Sequence, residues 1–123
     1  MVPGGEDLAR EGSGAEIAEL LAAEAERTRV VISSLQRNLG VIIDGARSTA
    51  TDDEHDPEGS TIAFERSQAS ALLASATARL AEIEEAQQRI REGGYGICER
   101  CGSAIPAGRL RARPTARTCV ACA

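Results

Sequence analysis

The sequence predicts an all-α fold, two long helices paired as an antiparallel coiled-coil helical hairpin and followed by a small C-terminal module that carries all four cysteines. Three observations predict it. Apolar residues advance in steps of three and four over two long stretches, a polar run rich in carboxylates separates them, and the cysteines fall in two Cys-x-x-Cys pairs beyond the second stretch. Composition agrees: a chain of 123 residues with one Phe, one Tyr and no Trp has little aromatic area for a large globular core. Burial must come from Ala, Leu, Ile and Val, which suits a helix pair closed at one end by a metal-ligating cluster.

Residues 1–14 are rich in Gly and polar residues and lack periodicity, so a disordered tail is expected there. Helix one is expected from about Gly14 to Ser48, ~50 Å at the helical rise. Its stripe is Ile17, Leu20, Leu21, Thr28, Val31, Ile32, Leu35, Leu39, Ile42, Ile43 and Ala46, interrupted by Glu24 and weakened by Gly40 and Gly45. The run from Thr49 to Ser60 holds Asp52, Asp53, Glu54, His55, Asp56 and Glu58, places Asp56 before Pro57 and brings Gly59 shortly after. It is read as the turn at the tip. A second stripe follows, Ile62, Ala69, Leu72, Leu73, Ala76, Leu80, Ile83 and Ile90, and stops at Gly93-Gly94. The expected division is thus a tail (1–14), a hairpin (15–93, tip about 49–60) and a cysteine module (94–123). The alanines of the second stripe let the helices approach closely, and helix pairing accounts for these positions without a ligand.

Cys98-Glu99-Arg100-Cys101 and Cys119-Val120-Ala121-Cys122 are separated by seventeen residues, inside the range of a zinc finger with four cysteine ligands. Each turn aims two sulfurs at one point, and two turns supply the tetrahedral thiolate set that zinc accepts. Gly102 lets the first turn close with N–H groups facing the sulfurs, and the segment's arginines offset the net negative charge of the cluster. Four protein ligands leave no position for water, so one structural Zn2+ is the reading and a catalytic one is not expected. A redox dithiol pair, which would call for a βαβ context, and an iron–sulfur cluster are the alternatives.

Charge is divided along the chain. Residues 1–88 carry seventeen acids and seven arginines, whereas residues 89–123 carry seven arginines and only Glu92 and Glu99. All fourteen cations are arginine, which excludes lysine chemistry such as Schiff bases and phosphate loops. With no nucleophile set beside a base and no concave pocket expected in a hairpin, the chain is not read as an enzyme. The N-terminus lacks the pattern of a signal peptide and no stretch reaches the ~18 apolar residues of a membrane span, so a cytoplasmic protein without membrane contact is expected. In the cytosol cysteines stay reduced, which favours metal ligation over disulfides. Arg109, Arg111, Arg113 and Arg117 form a basic surface able to meet phosphates. Stacking aromatics are nearly absent and the acidic hairpin repels a nucleic-acid backbone, so direct nucleic-acid binding would be weak. A coiled-coil adaptor that self-associates is the other alternative, against a monomer as the expectation.

The run Gly94-Tyr95-Gly96-Ile97-Cys98-Glu99-Arg100-Cys101-Gly102, then Ile105-Pro106, Arg109-Leu110, Ala112-Arg113-Pro114-Thr115-Ala116 and Cys119-Val120-Ala121-Cys122, closely resembles the TraR/DksA family of C4-type zinc-finger proteins. The likeness is dense over about thirty residues, and the hairpin extends it over most of the chain. The resemblance implies a bacterial transcription regulator that binds RNA polymerase and inserts its hairpin into the secondary channel, with acidic residues at the tip approaching the catalytic centre. Here those residues would be Asp52, Asp53, Glu54, Asp56 and Glu58. The tip motif Asp-x-x-Asp-x-Ala of DksA-like proteins is incomplete: Gly59 or Glu58 falls at a key position, depending on the frame. Arg113 matches the zinc-module arginine of the family, but Glu82 and Ala123 stand where lysines contribute to holding the alarmone ppGpp, so ppGpp is not an expected partner. The chain stops one residue after Cys122, where the family continues into a helix, so docking on the polymerase rim is expected to be weaker or different.

Overall fold

The computed structural model describes the backbone of residues 3–49 and 57–123 and the side chains of 14–47 and 59–123. The fold class is the expected one: α1 (Pro3–Thr49) and α2 (Pro57–Glu92) are followed by a six-residue helix α3 (Ala107–Ala112) and a short 3-10 turn (Val120–Cys122). Among the described residues there is no strand, only the isolated antiparallel bridge between Ile97 and Ala104. None of these helices is long and apolar enough to cross a membrane.

Two boundaries differ from the sequence reading. The helix α1 begins at Pro3, not near Gly14, so residues 3–14 of the segment read as a disordered tail have helical backbone. Proline suits a first helical position because its φ is already set and it has no N–H to satisfy, and the Ala, Leu, Arg and Glu that follow favour helix without offering an apolar stripe. For the same reason α2 begins at Pro57, three residues ahead of Ser60. The connecting residues Asp52, Asp53, Glu54, His55 and Asp56 lie outside the described residues, as does the side chain of Glu58.

The chain divides into two compact units, Met1–Glu26 with Ala81–Ala123, and Arg27–Leu80. Each contains a stretch of α1 beside an oppositely directed stretch of α2. In the first unit Ile17, Leu21 and Ala25 are buried on α1, and Ile83 and Ala86 on α2, each at 2% exposure or less. Burying one such branched aliphatic contributes about 1.5–3 kcal/mol. In the second unit the seam consists of Thr28, Ile32, Leu35, Leu39, Ile42 and Ala46 facing Ile62, Ala69, Leu73, Ala76 and Leu80. The steps are three, four or seven residues, the heptad spacing that keeps one face of a helix on its partner. Of these seam residues only Thr28 and Ala69 are buried, the rest half-buried.

Three residues read as part of the stripe are exposed instead: Leu20, Val31 and Leu72. Each immediately precedes a seam residue, and one residue turns a helix by about 100°, which carries the side chain off a narrow seam.

Candidate metal centre

The exit from α2 sets where the cysteine module begins. The N–H of Gly94 donates to the Arg89 carbonyl (3.0 Å) and that of Gly93 to the Ile90 carbonyl (3.2 Å), with Gly93 at φ +84°. These are the paired bonds of a Schellman motif, which satisfies the last carbonyls of a helix and needs a left-handed residue, the role glycine fills at least cost.

The first cysteine pair sits on a tight knuckle. Cys98 N–H donates to the Ser103 carbonyl (2.8 Å) and Gly102 N–H to the Cys98 carbonyl (2.9 Å), with Gly102 at φ +74°. The Ile97–Ala104 bridge and the bond from Ile105 N–H to the Gly96 carbonyl (2.7 Å) close the base of this loop. The second pair lies on the 3-10 turn, where Cys122 N–H donates to the Cys119 carbonyl (3.1 Å). Glu99 N–H donates to the Arg117 carbonyl (2.9 Å) and joins the two knuckles. Behind them Ile105, Leu110, Thr115 and Ala116 are buried, a core too small to hold some thirty residues folded unaided.

The four sulfurs of Cys98, Cys101, Cys119 and Cys122 all lie within 4.8 Å of one another. The Sγ atoms of Cys101 and Cys119 are 3.8 Å apart. A tetrahedral zinc with sulfur at about 2.3 Å has sulfur–sulfur edges of about 3.8 Å, so this donor set fits the ion. The surroundings favour ionised sulfur at one corner: N–H groups, first that of Cys101 and then that of Cys119, hold the Cys98 thiol down to about 6. The backbone of Ser103, and next its side chain, lower the Cys101 thiol. Without the cation the cluster cannot ionise throughout, and its hydrogen bonds to Cys119, Cys98 and Cys101 push the Cys122 thiol up to about 12. One divalent cation removes that conflict. The protein holds one structural zinc, for which Cys98, Cys101, Cys119 and Cys122 would be the ligands, so that the ion would tie the two knuckles together.

The structure also locates the four arginines of the predicted basic surface. Arg109 and Arg111 lie on α3, and Arg113 is the residue that ends it. Within the module Arg109 Nε donates to the Thr118 carbonyl (2.8 Å), and Arg117 Nε to Glu99 Oε2 (3.1 Å). Arg117 also stands 3.7 Å from Glu85 on α2. Tyr95, which the sequence reading used only as a motif letter, has a structural part. Its hydroxyl donates to the Pro114 carbonyl (2.6 Å), and burial raises its pKa above the usual 10.0, with Arg89 pulling the other way. No pattern in the sequence pairs Tyr95 with Pro114, because the partner is a backbone carbonyl nineteen residues away.

Comparison with known proteins agrees with this geometry. Residues 93–123 match the model of the prokaryotic dksA/traR C4-type zinc finger. The chain is 54% identical over 46 residues to an uncharacterized protein of Aquifex aeolicus, covering 37% of this chain and 32% of that one. It is 41% identical over 66 residues to the uncharacterized protein YteA of Bacillus subtilis, covering 54% and 28%. It is 42% identical over 41 residues to the RNA polymerase-binding transcription factor DksA of Escherichia coli, covering 33% and 27%. The aligned parts amount to about a third or less of these relatives' lengths. Among solved structures, transcription factor DksA2 of Pseudomonas aeruginosa has the same fold, with a TM-score of 0.76 and 23% identity over 91% of this chain and 81% of that one.

Proposed function

We propose that this chain, which belongs to the TraR/DksA family, regulates bacterial transcription by binding RNA polymerase, with the acidic connection between its long helices entering the secondary channel. The observation that carries the reading is the joint occurrence of a DksA/TraR-type finger and a two-helix hairpin of the DksA2 fold in one chain. The contacting residues are Asp52, Asp53, Glu54, Asp56 and Glu58, whose carboxylates can reach metal-bound or cationic groups near a polymerase active centre. The zinc finger holds the base of the hairpin and presents Arg109, Arg111, Arg113 and Arg117 as one basic surface to an acidic or phosphate-bearing partner, Arg109 and Arg117 also bonding within the finger. The protein acts as a monomer in the cytoplasm, by binding and not by catalysis, and without ppGpp, since Glu82 and Ala123 offer no cation at the positions the family uses.

The test uses the full, zinc-loaded chain. It is expected to co-purify with RNA polymerase, to compete with another secondary-channel factor, and to change transcript yield from sensitive promoters in vitro. The variant Asp53→Asn/Asp56→Asn is expected to bind as wild type does and to lose most of the transcriptional effect. Absence of both binding and competition rejects the proposal. An unaltered effect in the double variant reduces the acidic tip to a solvated turn.

A further inference from the structure

Burial is unevenly distributed along the two helices. On α1, Ile17, Leu21, Ala25 and Thr28 are buried, but among the described side chains of residues 29–47 and 59–68 not one is. In that region Ile32, Leu35, Leu39, Ile42, Ile43 and Ile62 are only half-buried, and Val30, Val41 and Phe64 face solvent, 60%, 70% and 67% exposed. The exposed three add little to the energy that holds the helices together.

The backbone of the same region is weak as well. Gly40 and Gly45 lie inside α1 and Gly59 in the first turn of α2. None has a positive φ, and a Cβ built on any of them meets nothing within 4 Å. Neither a turn nor a close approach therefore calls for glycine at these positions, and each lowers helix stability relative to alanine. Between Gly40 and Gly45 stand Val41, Ile42, Ile43 and Asp44, all poorer helix formers than Ala, Leu or Glu. A helix that short of both propensity and burial is marginal in water.

We propose that residues 36–49 of α1 and 57–66 of α2 form a separately opening segment, which melts and re-forms while the zinc finger and the helix stretches beside it stay folded. Its ends can then order against a partner surface, at the entropic cost of folding on contact, without disturbing the metal centre. The inference does not depend on which partner the protein has.

Amide hydrogen exchange on the full, zinc-loaded chain tests it. Residues 36–47 and 60–66 are expected to exchange at least about tenfold faster than residues 17–28 and 83–90. The variant Gly40→Ala/Gly45→Ala is expected to slow exchange in 36–47 by about 20-fold, from four- to five-fold per glycine, and to leave residues 17–28 and 83–90 unchanged. Protection in 36–47 equal to that in 17–28 overturns the proposal, and so does exchange that the alanines leave unchanged or slow equally throughout the chain.

Discussion

At the residue scale, the cysteine cluster is a proton–metal exchanger. With no ion bound, Cys122 keeps its proton at neutral pH because its thiol is held up at about 12, while Cys98, held down to about 6, is already largely ionised. The depressed Cys98 stabilises the folded module above its unfolded value of 9.0, and that contribution is lost as pH falls through about 6. Zinc must displace the Cys122 proton, so zinc affinity is expected to fall by about 100-fold or more between pH about 8 and about 6. Chelator competition at the two pH values measures this, and a pH-independent affinity refutes it. Tyr95 has the opposite sign. As a phenol it donates to Pro114, and its raised pKa means that the stabilisation is complete below 10.0 and disappears as pH rises through the folded value. Tyr95→Phe leaves a buried carbonyl without this donor and is expected to cost about 1–3 kcal/mol by denaturant titration, a deficit that shrinks above pH 10. The cysteines were legible in the sequence because their spacing reports one tetrahedron. The bonds from Tyr95, Arg109 and Arg117 were not, since each requires the folded loop to bring its acceptor near.

At the scale of elements, both long helices follow from the steps of three and four, and the seam residues Ile17, Leu21, Ile32, Leu35, Leu73, Leu80 and Ile83 stand where that pattern puts them. The pattern over-reads the width of the stripe, however. Leu20, Val31 and Leu72 are as apolar as their neighbours, yet two helices crossing at a shallow angle bury a seam, not a face, and composition cannot say which of two adjacent aliphatics lies on it. It also under-reads the start of α1, because a helix without an apolar stripe gives no periodic signal. The energetic consequence is testable in one pair of variants. Ile83→Ala removes a fully buried side chain and is expected to cost about 2–5 kcal/mol. Phe64→Ala, at the only phenylalanine of the chain, is expected to stay within about 0.5 kcal/mol of wild type because its ring is 67% exposed. Chemical denaturation of the zinc-loaded protein compares the two, and the reverse ranking would mean that the seam is wrongly drawn.

For the molecule as a whole, charge and metal are placed at one end of the sequence and carboxylates elsewhere: all four cysteines and half of the fourteen arginines fall in residues 89–123. The fold class and the zinc finger could be read from the sequence because both rest on repeats of spacing, whereas the action proposed for the acidic connection depends on a partner surface, which no spacing can report. The hydrogen-bonded stop at Gly93 and Gly94 adds a constraint of another kind. Because α2 passes into the finger without slack, each residue of α2 acts as an angular index for everything that follows. One alanine inserted ahead of Gly93 should swing the finger by about 100° about the axis of α2 and advance it by about 1.5 Å. The internal bonds from Tyr95 and Arg109 would survive and zinc would still bind, but Arg117 would lose Glu85. Four inserted residues return the finger to within about 40° of its starting direction. A protein that works through this finger should therefore tolerate length changes at this junction periodically, with the phase of a screw thread.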